Sequence, residues 1–311
     1  MVLIWKVVMN KYIDILPEVK SALDNNCAVV ALESTIISHG MPYPENLACA
    51  KGCESVIRDN GATPATIAVL DGRIKIGLSD EQLERFAVAK DVMKCSRRDL
   101  PYAIAKGENG AATVSATMIM ASLAGIRFFA TGGVGGVHRG AEHTMDISAD
   151  LLELSSTDVC VISAGIKSIL DIGRTLEFLE TQGVPVVAYG QDEFPAFYTR
   201  ESGFKAPLRL DTPTEIAKMM SVKWELGQKG GAIVGNPIPE EYSMPKEDIE
   251  TAISEALSKA SINKIIGKDI TPFLLDTIKS ITGGSSLEAN MHLVKNNARL
   301  AADIAVSYFT L

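Results

Sequence analysis

Cys27-Ala-Val-Val-Ala-Leu32 carries no charge and no alternation of polar with apolar residues. A strand of that kind is buried on both faces, as in a sheet sandwiched between helices. Working outward, Glu33-Ser-Thr35-Ile-Ile-Ser-His39-Gly follows at once, and residues 44–58 form a helix stopped near Asn60-Gly61. Similar apolar runs predict strands at Phe128-Phe-Ala-Thr131, Asp158-Val-Cys-Val-Ile-Ser163, Val184-Pro-Val-Val-Ala-Tyr189 and Gly231-Ala-Ile-Val-Gly235. Helical patterns predict residues 114–124, 168–181, 214–226, 246–260 and 286–307. This is the rhythm of an α/β fold, a sheet covered by helices. Asp71-Gly72, between Thr66-Ile-Ala-Val-Leu70 and Arg73-Ile-Lys-Ile-Gly77, marks a tight hairpin, so the sheet is mixed rather than purely parallel.

The whole chain of 311 residues is 47% apolar and 22% charged, enough for a sizeable core and incompatible with disorder or a small disulfide scaffold. Its net charge of −8 argues against a general grip on nucleic-acid backbone, so any anionic ligand needs a local cationic cluster. The five cysteines contain no CxxC pair and suit a reducing cytoplasm. Cys49 and Cys53 share a helix face, where buried thiols are a plainer reading than zinc. The first residues, Met1 to Met9, break their apolar run at Lys6 and lack a signal-peptide cleavage pattern, and no segment has the length of a membrane span. No repeat or polar linker divides the chain. A single domain over residues 12–311 is expected behind an N-terminal extension, residues 1–11.

Glu33 stands where the C-terminal edge of an α/β sheet places its ligands, in the company of Ser34, Thr35 and His39. It is either an acid or base, or a surface or capping carboxylate. Thr131-Gly-Gly-Val-Gly-Gly-Val-His138-Arg139-Gly offers close backbone approach to a ligand and a forked cation suited to phosphate. Its spacing fits neither a dinucleotide fingerprint nor a phosphate loop. Asp146 and Asp150, just downstream, are hard donors suited to Mg²⁺ or Mn²⁺, or else acids at a helix start. Lys167, in Ser163-Ala-Gly-Ile-Lys167-Ser, follows a buried strand; desolvation there yields an amine able to form an imine, the alternative being plain solvent exposure. Lys94-Cys-Ser96-Arg97-Arg98-Asp99 groups three cations, for an acidic substrate or for a salt-bridged helix start. Asn290, Asn296 and Asn297 have helical spacing and can read a planar heterocycle or bond neighbouring loops. The segment 236–268 is rich in proline and charge, as befits an excursion covering a site, and Thr271-Pro272 suggests a helix cap followed by proline at the first helical position.

The chain resembles the pseudouridine-5′-phosphate glycosidase family, also called indigoidine synthase A-like proteins. The resemblance runs from about residue 12 to the C-terminus. It rests on Ala31-Leu-Glu-Ser-Thr-Ile-Ile-Ser-His-Gly-Met-Pro-Tyr-Pro44, Gly61-Ala-Thr-Pro-Ala-Thr-Ile67, Lys94-Cys-Ser-Arg-Arg-Asp99, Ala130-Thr-Gly-Gly-Val-Gly-Gly-Val-His-Arg-Gly-Ala-Glu142 and Asp146-Ile-Ser-Ala-Asp-Leu151. Ser163-Ala-Gly-Ile-Lys-Ser-Ile-Leu-Asp171, Asp192-Glu-Phe-Pro-Ala-Phe-Tyr198, Asn236-Pro-Ile-Pro239 and Lys295-Asn-Asn-Ala-Arg299 extend it.

The resemblance implies a three-layer α/β/α fold with a large mixed central sheet, loosely ribokinase-like. It also implies reversible cleavage of the C–C glycosidic bond of pseudouridine 5′-phosphate to uracil and ribose 5-phosphate, with Mn²⁺, in a cytoplasmic homotrimer. By position, Lys167 falls on the imine-forming lysine, Glu33 on the proton donor and Asp146 on the metal ligand. Lys94, Val114, Ser148, Ala149 and Asp150 fall on substrate contacts, and His138 and Asn290 lie in pocket motifs. A C–C bond has no heteroatom leaving group to protonate, so the two-carboxylate route of O-glycosidases cannot operate and a covalent electron sink fits the chemistry. An ATP-dependent sugar or nucleoside kinase is the alternative, and a non-enzymatic nucleotide-binding or RNA-associated protein a third reading.

Overall fold

The computed structural model describes residues 11–265 and 267–311. The expected extension lies outside these but for residue 11. Strands in the first part of the chain are β1 (Ile13–Ile15), β2 (Val29–Leu32), β3 (Thr63–Leu70), β4 (Arg73–Ile76), β5 (Met93–Cys95), β6 (Gly110–Ala112) and β7 (Phe128–Ala130). They continue as β8 (Val137–His138), β9 (Cys160–Ser163), β10 (Leu170–Asp171), β11 (Val186–Tyr189), β12 (Leu208–Leu210) and β13 (Ala232–Gly235). The helices begin with α1 (Pro17–Asp24), α2 (Glu45–Asp59), α3 (Asp80–Val88), α4 (Leu100–Lys106), α5 (Val114–Leu123) and α6 (Ala141–Thr144). After these come α7 (Ala149–Ser156), α8 (Ile172–Thr181), α9 (Pro213–Glu225), α10 (Lys246–Ile262), α11 (Ile270–Ile281) and α12 (Ser285–Phe309).

Eleven of the described strands make one sheet, ordered β1-β4-β3-β2-β7-β9-β13-β11-β12, with β6 also on β3 and β5 on β6. It is mixed: β3 runs antiparallel to β4 and β6, while β2, β7, β9, β13 and β11 are parallel neighbours. The hairpin stands where Asp71-Gly72 predicts it, both residues having positive φ (49° and 71°) as a two-residue turn requires. All four residues of β2 are buried, as its unbroken apolar run demands. Helices α2, α9 and α12 pack together on the sheet as one layer, and α5, α7 and α8 belong to the other. Alanines at 289, 298, 301, 302 and 305 are buried along α12, which lets this long helix lie close across β2, β7 and β9.

From β2 the chain moves to β3 on one side, whereas β7 and β9 lie on the other. The crevice beyond the C-terminal ends of β2 and β7 is therefore the topological position for a ligand site.

Two predicted elements differ. The helix expected at 168–181 begins only at Ile172, because Asp171 caps it, accepting from the Arg174 N–H at 3.0 Å. Residues 167–171 form a turn and the short strand β10, paired with β8. Pro272 is not at the first helical position: α11 starts at Ile270 after Asp269. No helix among the described residues is long and apolar enough to cross a membrane. Of the five cysteines, Cys27 is exposed rather than buried; Cys49, Cys53, Cys95 and Cys160 are buried.

Candidate active site

A cleft of about 450 Å³ opens at that crevice and brings together Glu33, Lys94, Val114, His138, Asp146, Ser148, Ala149, Asp150, Lys167 and Asn290. These positions come from opposite ends of the chain, and every substrate, metal or catalytic residue carried over by resemblance is among them.

Glu33 leaves the end of β2 and is 9% exposed. The hydroxyls of Thr35 and Thr131 both donate to its carboxylate, one to each oxygen. A hydroxyl can also turn and accept, so this cradle orients the carboxyl in either protonation state. Thr131 itself is held by Asn297 on α12, whose Nδ2 donates to the Thr131 carbonyl at 2.8 Å and whose Oδ1 accepts from Asn236 Nδ2 at 3.0 Å. Just after Thr35 the chain makes one π-helical turn, Ile36–Gly40, an irregularity that recurs at functional sites.

Lys167 sits on the loop after β9. Its N–H donates to the Val134 carbonyl at 3.1 Å, and the Val134 N–H donates to the Gly165 carbonyl at 3.1 Å, so the lysine loop and the glycine-rich loop brace each other. Gly165 has φ +92° beside the Pro195 carbonyl, a conformation and a closeness that exclude a side chain. Pairing of Leu170 with His138 adds a second tie between the two loops.

Lys94 and two helix starts form another part of the lining. The N-termini of α5, starting at Val114 after its cap Thr113, and of α7, starting at Ala149 after its cap Ser148, both line the cleft. The caps and the Asp150 carboxylate engage the N–H groups of residues 115, 116 and 150, so each helix start offers the cleft chiefly the positive end of its dipole, about half a charge. Asp150 has a different local duty: its carboxylate accepts from the Ser115 N–H and the Gly135 N–H, both at 2.9 Å, and so ties the two helix starts to the glycine loop. Gly135 is obligatory, since a Cβ there would lie 2.6 Å from Asp150 Oδ2. Burial, followed by the like charge of Lys167, pulls the Lys94 ammonium down to about 8, against the pull of the Asp150 and Glu33 carboxylates.

The other cations divide. Arg97 lines the cleft, but its fork is engaged by Glu153 on α7, at 2.8 Å through both Nε and Nη2, so it clamps the Lys94 segment to α7. Arg139, expected to meet phosphate, is not among the cleft residues. It pairs with Glu250 on α10 at 3.3 Å and donates to the Ser168 carbonyl at 3.0 Å, which makes it a tether. The excursion at 236–268 is therefore joined to the lysine loop through Glu250 and adds Gly267 to the cleft lining, which continues with Thr271, Pro272 and Leu275 of α11.

Among the described residues no group of three or more His, Cys, Asp or Glu is placed to hold a metal. Cys49 and Cys53 are both buried. At one place in the cleft the part-exposed Asp146 carboxylate has His138 Nδ1 3.9 Å away. A hard cation that keeps most of its waters fits such a donor set. Burial pushes the His138 imidazole below its ordinary value, opposed by Asp146 and reinforced by Lys167 and Lys94. The Oδ1 atom of Asn290, on α12, is buried with no hydrogen-bond partner among the described residues, which leaves an acceptor facing the cleft.

Sequence reading missed Thr131 as a partner of Glu33, Asn297 as its support, and Phe197 in the cleft wall. Only Asn297 had a legible signal, its amide in step with Asn290 on one helix.

The fold and site define an α/β protein with a carboxyl group, two lysines and two helix N-termini gathered at the C-terminal edge of its sheet. Residues 18–307 match the family described as indigoidine synthase A like protein, and the chain belongs to that family. It is 59% identical over 303 residues to a pseudouridine-5′-phosphate glycosidase of Deinococcus radiodurans, covering 97% of each chain. It is also 59% identical over 298 residues to a protein of that name from Caldanaerobacter subterraneus subsp. tengcongensis, covering 96% of this chain and 97% of the relative. Among solved structures it is similar to the prealnumycin C-glycosynthase AlnA in complex with ribulose 5-phosphate, with a TM-score of 0.89, 36% identity and coverage of 97% and 98%.

Proposed function

We propose that this chain reversibly cleaves the C–C glycosidic bond of pseudouridine 5′-phosphate, giving uracil and ribose 5-phosphate through an imine on Lys167. The observation that carries the reading is the meeting of Glu33 and Lys167 in one cleft that Lys94 and two helix N-termini also line. The relatives named above carry this activity in their names, and the C-glycosynthase was solved with a sugar phosphate. The kinase alternative finds no support in these likenesses.

Lys94 and the starts of α5 and α7 receive the 5-phosphate. Glu33 gives a proton to the ribose ring oxygen as its bond to C1′ breaks, and the Lys167 amine adds at C1′. The nitrogen loses a proton to the Glu33 carboxylate, and the C1′–C5 bond then breaks: its electron pair goes to the base, which takes that proton at C5, while the nitrogen lone pair closes the C1′=N bond. Water hydrolyses this imine to ribose 5-phosphate and restores the amine. Asn290 Oδ1 accepts an N–H of uracil, and His138 lies across the cleft wall beside Asp146. Asp146 is the residue to hold Mn²⁺, which when bound supplies positive charge for ordering water and phosphate. Assembly as a cytoplasmic homotrimer completes the proposal.

Incubation with Mn²⁺ and pseudouridine 5′-phosphate, with uracil release followed by chromatography, tests it. Release that disappears in Lys167→Ala supports the reading; undiminished release in that variant, or none from the wild type, overturns it. Light scattering that gives any state other than a trimer refutes the assembly proposed.

A further inference from the structure

Phe197 has φ +65°, a left-handed backbone that costs a bulky residue of order 1–3 kcal/mol and persists only where its surroundings impose it. The surroundings here are specific. The Phe197 N–H donates to the Ala164 carbonyl at 2.9 Å, and Ala196 bridges to Gly165, so the turn at 195–199 is fastened to the loop that carries Lys167. The ring is 2% exposed, packs edge-on against Tyr198 with centroids 4.6 Å apart, and lines the cleft. Its edge and the Lys167 stem converge over Gly133: a Cβ on that glycine would lie 2.5 Å from Phe197 Cδ2 and 3.3 Å from Lys167 Cγ. Aromatic burial alone would not call for a strained backbone, since the same apolar area could be covered from an ordinary conformation.

We propose that Phe197 is a positioning residue for the imine step. Its left-handed backbone turns the ring into the cleft, where the ring fills the space over Gly133, holds the Lys167 stem on one line and keeps water from reaching the amine from that side. This rests on the imine reading above. Over Gly133 the ring meets the Lys167 stem and not Lys94 or the starts of α5 and α7, proposed above for the 5-phosphate, so it is expected to act on turnover rather than on substrate affinity.

Phe197→Gly removes the ring while allowing the same φ, and Phe197→Ala removes it while keeping the strain. Both variants are expected to lose kcat at least tenfold with KM within threefold of wild type, and Phe197→Leu to recover part of the loss. A readout free of catalysis accompanies this: carbamylation of Lys167 by cyanate, followed by peptide mass spectrometry, is expected to quicken at least threefold in Phe197→Gly. The proposal is overturned if Phe197→Gly keeps kcat within twofold, if the loss lies in KM, or if the labelling rate of Lys167 is unchanged. Absence of uracil release in wild type would overturn the imine reading instead, whereas a changed labelling rate would still stand for the placement of Lys167 by Phe197.

Discussion

Replacing Asn297 by alanine isolates the support behind Glu33. Asn297 is fully buried, and its amide makes three hydrogen bonds: to the Thr131 carbonyl (2.8 Å), to the Gly132 carbonyl (3.3 Å) and from Asn236 Nδ2 (3.0 Å). The Gly132 carbonyl keeps another partner, the Ala164 N–H at 2.9 Å. Truncation thus strands two buried groups, the Thr131 carbonyl and the Asn236 amide, each at about 1–3 kcal/mol, for a total of about 2–6 kcal/mol. At roughly 2 °C per kcal/mol for a domain of this size, Tm falls by about 4–12 °C. Since Thr131 orients Glu33, kcat should also fall, by at least tenfold, or about 1.4 kcal/mol in barrier. Asn296→Ala is the control: among the described residues its side chain makes one hydrogen bond, a half-exposed one to the Pro237 carbonyl at 3.2 Å, and its loss should cost less than about 2 °C with kcat retained. Differential scanning fluorimetry and uracil release measure both. A Tm for Asn297→Ala within about 1 °C of wild type, or an equal loss of kcat in Asn296→Ala, would refute the reasoning.

Lys94 should leave its mark on pH dependence. Its ammonium deprotonates near pH 8, so kcat/KM for the phosphorylated substrate should fall as pH rises through that value. Its effect on stability has the opposite sign: between about pH 8 and the ordinary lysine range the unfolded chain holds a proton that the folded chain has lost, so this residue's contribution to stability rises with pH. Lys94→Met should accordingly raise Tm by a few degrees, read by fluorimetry, while KM increases at least tenfold. Gly135→Ala forces a methyl against Asp150 and should abolish measurable turnover and lower Tm, with inorganic phosphate no longer protecting against heat. Chelation should remove activity and Mn²⁺ restore it, and Asp146→Asn should shift the Mn²⁺ required for half-maximal rate upward at least tenfold.

Much of this was legible in local sequence. The unbroken run at 27–32 specified a buried strand, Asp71-Gly72 a hairpin, and the cluster residues Glu33, Lys94, Asp146 and Lys167 indeed converge on one cleft. What was illegible depends on distance along the chain. Arg139 has the chemistry of a phosphate contact, and only the folded chain reveals Glu250, on α10, as its partner. Ser168-Ile-Leu-Asp171 continues the apolar spacing of α8, so the pattern hides the turn that frees Lys167; the capping bond from Asp171 decides the boundary. Thr131 acts through a hydroxyl that leaves no trace in residue spacing, and the helical step from Asn290 to Asn297 marks an amide without revealing that it holds the Thr131 carbonyl. Phe197 is eloquent only through its φ, which no composition or periodicity encodes.

The covalent role of Lys167 is the claim on which the rest depends. Incubating wild-type protein with ribose 5-phosphate, reducing with sodium borohydride and mapping peptides by mass spectrometry tests it directly. The account predicts a reduced pentose-phosphate adduct on Lys167, absent from Lys167→Ala; an adduct confined to another lysine, or none under conditions where uracil and ribose 5-phosphate condense, would contradict it.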